Sequence, residues 1–165
     1  MRFSVRLATT YDLPALDQLY ARSYPRLLKA DYPPSLLVTV VPLFSKAQPR
    51  LVSSGSYFLA ETPEGVCLGA GGWTKRGPMG EHQEGLGHIR HFATDPDALR
   101  QGVGAEIMNH CLAQATDQKI TEMSCYSTRT ALTFYEAMGF RKKGEMAIEI
   151  TQAIRFPAIW MDRKL

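Results

Sequence analysis

The sequence predicts an α/β fold of the mixed α+β kind: one mixed central sheet of about six or seven strands flanked by helices. Short apolar runs with strand-like spacing occur near both ends and in the middle, separated by segments whose apolar residues recur every three or four positions. After an antiparallel beginning comes a strand, a crossover helix, a strand and another helix. That order needs both parallel and antiparallel pairs in the same sheet.

Residues 2–9, RFSVRLAT, read as an edge strand with Phe3, Val5 and Leu7 on one face. Thr9 then caps a helix, with Asp12 three residues on, and Pro14 falls in the first turn, where its missing N–H costs little. Leu13, Leu16, Leu19 and Tyr20 line one face of that helix. SYPRLLKADYPPSLL is expected to break it and to allow a second short helix around Leu36 to Phe44. Tyr24, Tyr32 and Phe44 are candidates either for a pocket wall or for packing between these helices.

The polar KAQPRLVSSGS leads into YFLAE and GVCLGAGGW, a hairpin of central strands around TPEG. TKRGPMGEHQEGLG is expected to be a long loop, after which HIRHFAT, His88 to Thr94, resumes as a strand that Pro96 closes. Val103, Ile107, Cys111, Leu112 and Ala115 form the buried stripe of a helix of about four turns. KITEMSCYS is the next strand. Ala131, Leu132, Phe134, Tyr135 and Met138 then form a second amphipathic helix, ended by Gly139 in a left-handed cap with Phe140 packing back on it. EMAIEI and AIWMDRKL supply two late strands around a turn that includes Pro157.

Composition narrows the function classes. With 165 residues, 45% apolar and 21% charged, the chain reads as one globular domain over 1–165. No apolar run reaches the roughly 18 residues of a bilayer span, and the polar N-terminus develops no signal-peptide core, so a cytoplasmic location is expected. The net charge of +3 is mild, and FRKKGE has no aromatic stripe beside it, which argues against nucleic acid as a partner. Cys67, Cys111 and Cys125 lack metal-ligand spacing and read as buried thiols. His82, His88 and His91 have no regular ligand spacing either, so no metal site is expected.

The segment LRQGVGA carries the first chemical signal. Gly102 and Gly104 remove side chains where a strand passes into a helix, so backbone N–H groups can converge on an anion while Arg100 adds positive charge. A tight turn without a ligand is the alternative. A Walker-type loop would need Lys and then Ser or Thr, where Ala105 and Glu106 stand; a dinucleotide fingerprint would need a glycine where Ile107 stands.

As a set, HIRHFATDPDALRQGVGAEIM, STRTALTFYEAMGF and IWMDRKL, preceded by RLATTYDLPALDQLY, resemble the GCN5-related N-acetyltransferase (GNAT) superfamily. The resemblance spans nearly the whole chain, although Tyr24 to Ser56 adds little beyond compatible length. It implies the acyl-CoA N-acyltransferase fold, with acetyl-CoA as cosubstrate. Phe92, Ala93 and Thr94 would lie along the pantetheine arm, and Arg100, Gln101, Gly102, Val103, Gly104 and Ala105 would cradle the pyrophosphate. Thr128 stands where the family often has an Asn that helps hold the cofactor. Leu99 replaces the Arg or Gln that usually opens the glycine motif, so a charged contact is missing there.

The same resemblance gives Tyr135 the role of protonating the departing thiolate. His88, aligned with a polar position used for proton removal in some members and sharing strand parity with Phe92, becomes the base; His91, Glu81 and Glu84 are alternatives. The implied reaction is direct attack of a primary amine on the acetyl carbonyl in a ternary complex, with a backbone N–H near Ala93 or Thr94 stabilising the oxyanion. The partner implied is a small-molecule or peptide amine acceptor, with neither nucleic acid nor membrane, and a homodimer is allowed. The competing reading, to which Leu99 and Thr128 point, is a non-catalytic CoA-binding regulatory or interaction module.

Overall fold

The Thr9–Asp12 capping box forms, with the Thr9 N–H donating to the Asp12 carboxylate at 2.7 Å. It leads through a 3-10 turn into α1 (Leu13–Leu28). Arg6 secures this corner by donating to both Asp12 and Glu61. The computed structural model describes residues 2–165. The break expected within SYPRLLKADYPPSLL falls at 29–33, after Leu28 and not at Pro25, and α2 (Pro34–Phe44) covers the expected second helix with Pro42 inside it. Both prolines lie on exposed helix faces, and so do Ala21 and Val38, whose carbonyls lose a donor. Water can satisfy those carbonyls, which removes much of the usual penalty. A single short turn, α3 (Pro49–Val52), interrupts the polar stretch that follows.

The strands are β1 (Ser4–Leu7), β2 (Tyr57–Glu61), β3 (Cys67–Thr74), β4 (Leu86–Thr94), β5 (Glu122–Ser127), β6 (Arg141–Thr151) and β7 (Ile154–Lys164). They form one seven-stranded sheet in the order β1-β2-β3-β4-β5-β7-β6, with β4 and β5 parallel and every other neighbouring pair antiparallel. The crossover between the parallel strands is α4 (Val103–Asp117), and α5 (Leu132–Ala137) follows β5. Phe3 and Val5 pack inward from the edge strand, but Leu7, expected beside them, lies at its end and is 44% exposed.

One core joins the sheet to α4 and α5 through Trp73, Ile107, Cys111, Met123 and Tyr135. A second joins the other face to α1 through Leu16, Leu19, Tyr20 and Leu59; a third gathers Tyr32, Leu37, Val40 and Phe156 under α2. Cys67, Cys111 and Cys125 are free and buried, as the spacing predicts. Gly139 ends α5 at φ 87°, and the Phe140 N–H returns to the Tyr135 carbonyl at 3.0 Å.

Pro157 is not in the final turn, which falls at Gln152–Ala153; it lies within β7, opposite Ala147. Its carbonyl accepts from the Tyr32 hydroxyl at 2.8 Å. In a strand, the amide nitrogen and carbonyl of one residue point to the same side, so the missing N–H faces Tyr32 and leaves the β6 ladder intact. Among the described residues, no helix is long and apolar enough to cross a membrane.

Candidate active site

The parallel ladder between β4 and β5 runs Leu86–Glu122, Gly87–Met123 and His88–Ser124, then stops, although both strands continue. A wedge therefore opens between Ile89–Thr94 and Cys125–Ser127. A bulge shapes its β4 wall: the register with β3 jumps from Gly72–Arg90 to Ala70–Ala93, leaving His91 and Phe92 opposite Gly71. His91 adopts φ 52°, and a side chain at Gly71 would come within 2.3 Å of the Phe92 ring. Both features hold the extra residue in place.

Backbone polarity then follows from the pairing. The Asp95 N–H reaches Leu68 of β3, so by alternation Ala93 also faces β3, while Phe92 and Thr94 face the wedge. Tyr24 donates to the Phe92 carbonyl at 3.1 Å and Ser23 to the Thr94 carbonyl at 2.9 Å. The N–H groups of Phe92 and Thr94 are thus the ones turned into the wedge. The expected backbone contact from Ala93 is corrected accordingly, since its N–H is engaged by the sheet.

The bulge also corrects the expected parity of His88 and Phe92. His88 shares its face with Thr74 and Ser124, on the α1 and α2 side, whereas Phe92 packs toward Phe134 and Tyr135 on the α4 and α5 side. One inserted residue reverses the alternation that the sequence suggested.

The glycine turn sits at the open end of β4. Arg22 of α1 pairs with Asp95, and Asp95 caps the 3-10 turn Pro96–Ala98 by accepting from the Asp97 N–H. Arg100 and Gly102 adopt φ 60° and 83°, and α4 begins at Val103 with no side-chain cap. The Glu106 N–H reaches the Gly102 carbonyl, so the N–H groups of Val103, Gly104 and Ala105 precede the first helical hydrogen bond and point outward. Arg100 and Gln101 are exposed at this rim, as is Leu99. The two glycines do different work. Gly102 supplies the left-handed turn, while Gly104 lets α4 approach α5, since a Cβ there would stand 3.0 Å from Phe134.

Tyr135 is 6% exposed and ringed by Phe92, Phe134 and Phe140 at centroid distances of 6.4, 5.1 and 5.5 Å. Burial, reinforced by nearby Cys125 and Tyr24, pushes its pKa well above 10, so the phenol keeps its proton at neutral pH. Thr128 Oγ1 accepts from the Ala131 N–H at 3.2 Å, which caps the approach to α5 while its own proton stays available to donate. Burial pushes the Cys67 thiol up to about 11 and the other two thiols higher still, so none is a thiolate nucleophile at neutral pH.

Across the sheet, His88 is 3% exposed, and its Nε2 is sealed without a hydrogen-bond partner, so Nδ1 is the nitrogen left to meet a ligand. Burial lowers its pKa below 6.5, opposed by the charge of Glu81. Glu81 is half-buried and accepts from the Tyr126 hydroxyl at 2.9 Å and the Met79 N–H at 3.0 Å. His91 lies in a different environment: it stacks on Tyr20 at 4.0 Å, donates through Nε2 to the Phe44 carbonyl and has its pKa pushed down to about 4 by burial. Glu84 is exposed on the loop. Tyr24 packs on Phe44, and Phe44 and Tyr32 both pack on Phe156. Arg90 and Tyr126, absent from the sequence-derived site, were readable by counting two residues along their strands from His88 and Ser124.

A cleft of about 670 Å³ lined by Glu122, Arg141, Lys143 and Asp162 lies at the opposite end of β5, away from the wedge. Among the described residues, no cluster of His, Cys, Asp and Glu is arranged to hold a metal ion.

Residues 38–150, more than half of the chain, match the model of the acetyltransferase (GNAT) domain. No curated protein matches the sequence. Among solved structures, a GCN5-related N-acetyltransferase from Rhodopseudomonas palustris has a TM-score of 0.80 at 18% identity, covering 100% of this chain and 99% of its own. The PaiA N-acetyltransferase from Thermoplasma acidophilum, solved with coenzyme A, has a TM-score of 0.74 at 14% identity and covers 100% of both chains. The ribosomal-protein-S18-alanine N-acetyltransferase from Escherichia coli has a TM-score of 0.65 at 18% identity, covering 99% of this chain and 94% of its own. These likenesses are of fold, and the family match completes the assignment: the chain belongs to the GNAT acetyltransferase family.

Proposed function

We propose that the protein transfers an acetyl group from acetyl-CoA to a primary amine by direct attack in a ternary complex. The observation that carries this reading is the wedge itself. Its wall turns the Phe92 and Thr94 N–H groups inward, and it ends at an uncapped helix start with three free N–H groups. That donor set suits a ligand with amides along its arm and a pyrophosphate at its end.

Acetyl-CoA, when bound, supplies an activated acetyl group. Phe92 and Thr94 would pair with the pantetheine arm, and Ala93 would support them from within the sheet. The Val103, Gly104 and Ala105 N–H groups would receive the pyrophosphate at the turn formed by Arg100, Gln101 and Gly102, and Thr128 would donate from the far wall. The wedge N–H of Phe92 or Thr94 would also stabilise negative charge on the carbonyl oxygen. Tyr135 holds the proton for the departing sulfur. His88, neutral near pH 7, takes the amine's proton through Nδ1 directly or by way of water, and Glu81 favours the resulting imidazolium.

A second reading, a CoA-binding module without turnover, draws on Leu99, which leaves an apolar side chain 42% exposed beside the cradle. Measuring acetyl-CoA binding by calorimetry alongside thiol release across a panel of amines separates the two. Acceptor-dependent release supports the enzyme; binding without release from any amine supports the module.

A further inference from the structure

Arg90 follows His88 by two residues on β4 and shares its face. Its guanidinium is half-buried and donates to Thr74 Oγ1 at 3.1 Å. Among the described residues, Arg6, Arg22 and Arg26 each pair with a carboxylate, whereas no carboxylate stands within ion-pair distance of Arg90. Burial lowers its pKa, as expected of a cation removed from water without a bound counterion. Such an arrangement is costly unless an anion completes it.

Glu81 supplies the opposite charge nearby. Tyr126 and the Met79 N–H fix its carboxylate, and its field reaches both His88 and Arg90 without forming a contact pair with Arg90. The face of the wedge that carries His88 therefore presents one held anion and one unpaired cation.

Resting on the acetyl-transfer reading, we propose that the acceptor is a small amino-carboxylate zwitterion, a free amino acid, whose carboxylate pairs with Arg90 and whose ammonium is received by Glu81 beside His88. The planar guanidinium matches a carboxylate through two parallel hydrogen bonds. His88 takes one proton from the ammonium, the freed lone pair forms the N–C bond, and the C–S bond breaks with its electrons on sulfur. Tyr135 protonates the sulfur, the nitrogen gives up its second proton, and the site returns with one proton released to solvent. The N-acetylated product has lost its positive charge and with it the attraction to Glu81, which favours release.

The test compares free amino acids with their carboxamides and their decarboxylated amines, by thiol release with acetyl-CoA and by calorimetric titration of the CoA-loaded protein. Amino acids are expected to show a KM about 30-fold below that of the matching amides, the size of one lost charge-assisted carboxylate contact. Arg90→Gln should collapse that acid-to-amide ratio, with Arg90→Lys intermediate and the thermal midpoint checked for each. Amides or simple amines that turn over as well as the acids overturn the proposal and leave acetyl transfer standing. No release from any acceptor overturns both. The wild-type comparison of acid with amide holds even if the variants misfold.

Discussion

Tyr135 is held protonated by its surroundings, which is what a proton donor to sulfur needs. Tyr135→Phe keeps the ring contacts and removes the donor, so kcat is expected to fall about 100-fold while acetyl-CoA affinity, read by calorimetry, stays within about twofold. His91 shows how a neighbouring residue of the same type serves structure instead. Its pKa lies near 4 when folded and at 6.5 ordinarily, so the unfolded chain takes up the proton first as the pH falls. Its contribution to stability is complete above pH 6.5 and is lost as the pH falls toward 4. Between pH 7 and 5, the loss should be about 2 kcal/mol, and denaturant titrations of His91→Asn should show a smaller drop. At this scale the sequence was partly legible. Tyr135 was marked by its motif, but the strand parity that favoured His88 over His91 fails at the bulge, and the burial and stacking that distinguish the two come from distant residues.

At the scale of elements, the two glycines of the turn have separable effects. Gly102→Ala places a side chain at φ 83° and should cost about 1 kcal/mol of stability, with a raised KM for acetyl-CoA as the cradle shifts. An equal KM in variant and wild type would show that the turn does not shape the cradle. The prolines carry the complementary lesson. A break is expected around Pro25 and a turn at Pro157, yet both, like Pro42, sit inside an element. Whether proline interrupts an element depends on where the orphaned partner points. In these three cases it points to water or away from the ladder.

Across the whole molecule, Tyr32 ties together segments that enclose the wedge. Its hydroxyl donates to the Pro157 carbonyl and accepts from the Arg129 N–H, both at 2.8 Å, while Thr130 donates to Asp31 alongside. The α1–α2 connection is thereby bound to β7 and to the loop that precedes α5. Tyr32→Phe removes the partner of two backbone groups, one half-buried at Pro157 and one on the exposed Arg129, so a loss of about 1 kcal/mol and roughly 2–4 °C in thermal midpoint is expected. A midpoint within about 1 °C of wild type would show that water replaces the hydroxyl.

The sequence by itself determined the kinds of element, their order, the glycine turn and the position of Tyr135, because helical and strand periodicities and caps act over a few residues. The tertiary structure alone decided that β4 and β5 part after His88 and Ser124, that a bulge puts His88 and Phe92 on opposite faces, and that Arg90 is left without a counterion beside Glu81. Strand register and the burial of a charge depend on residues far apart in the chain. No local pattern encodes them.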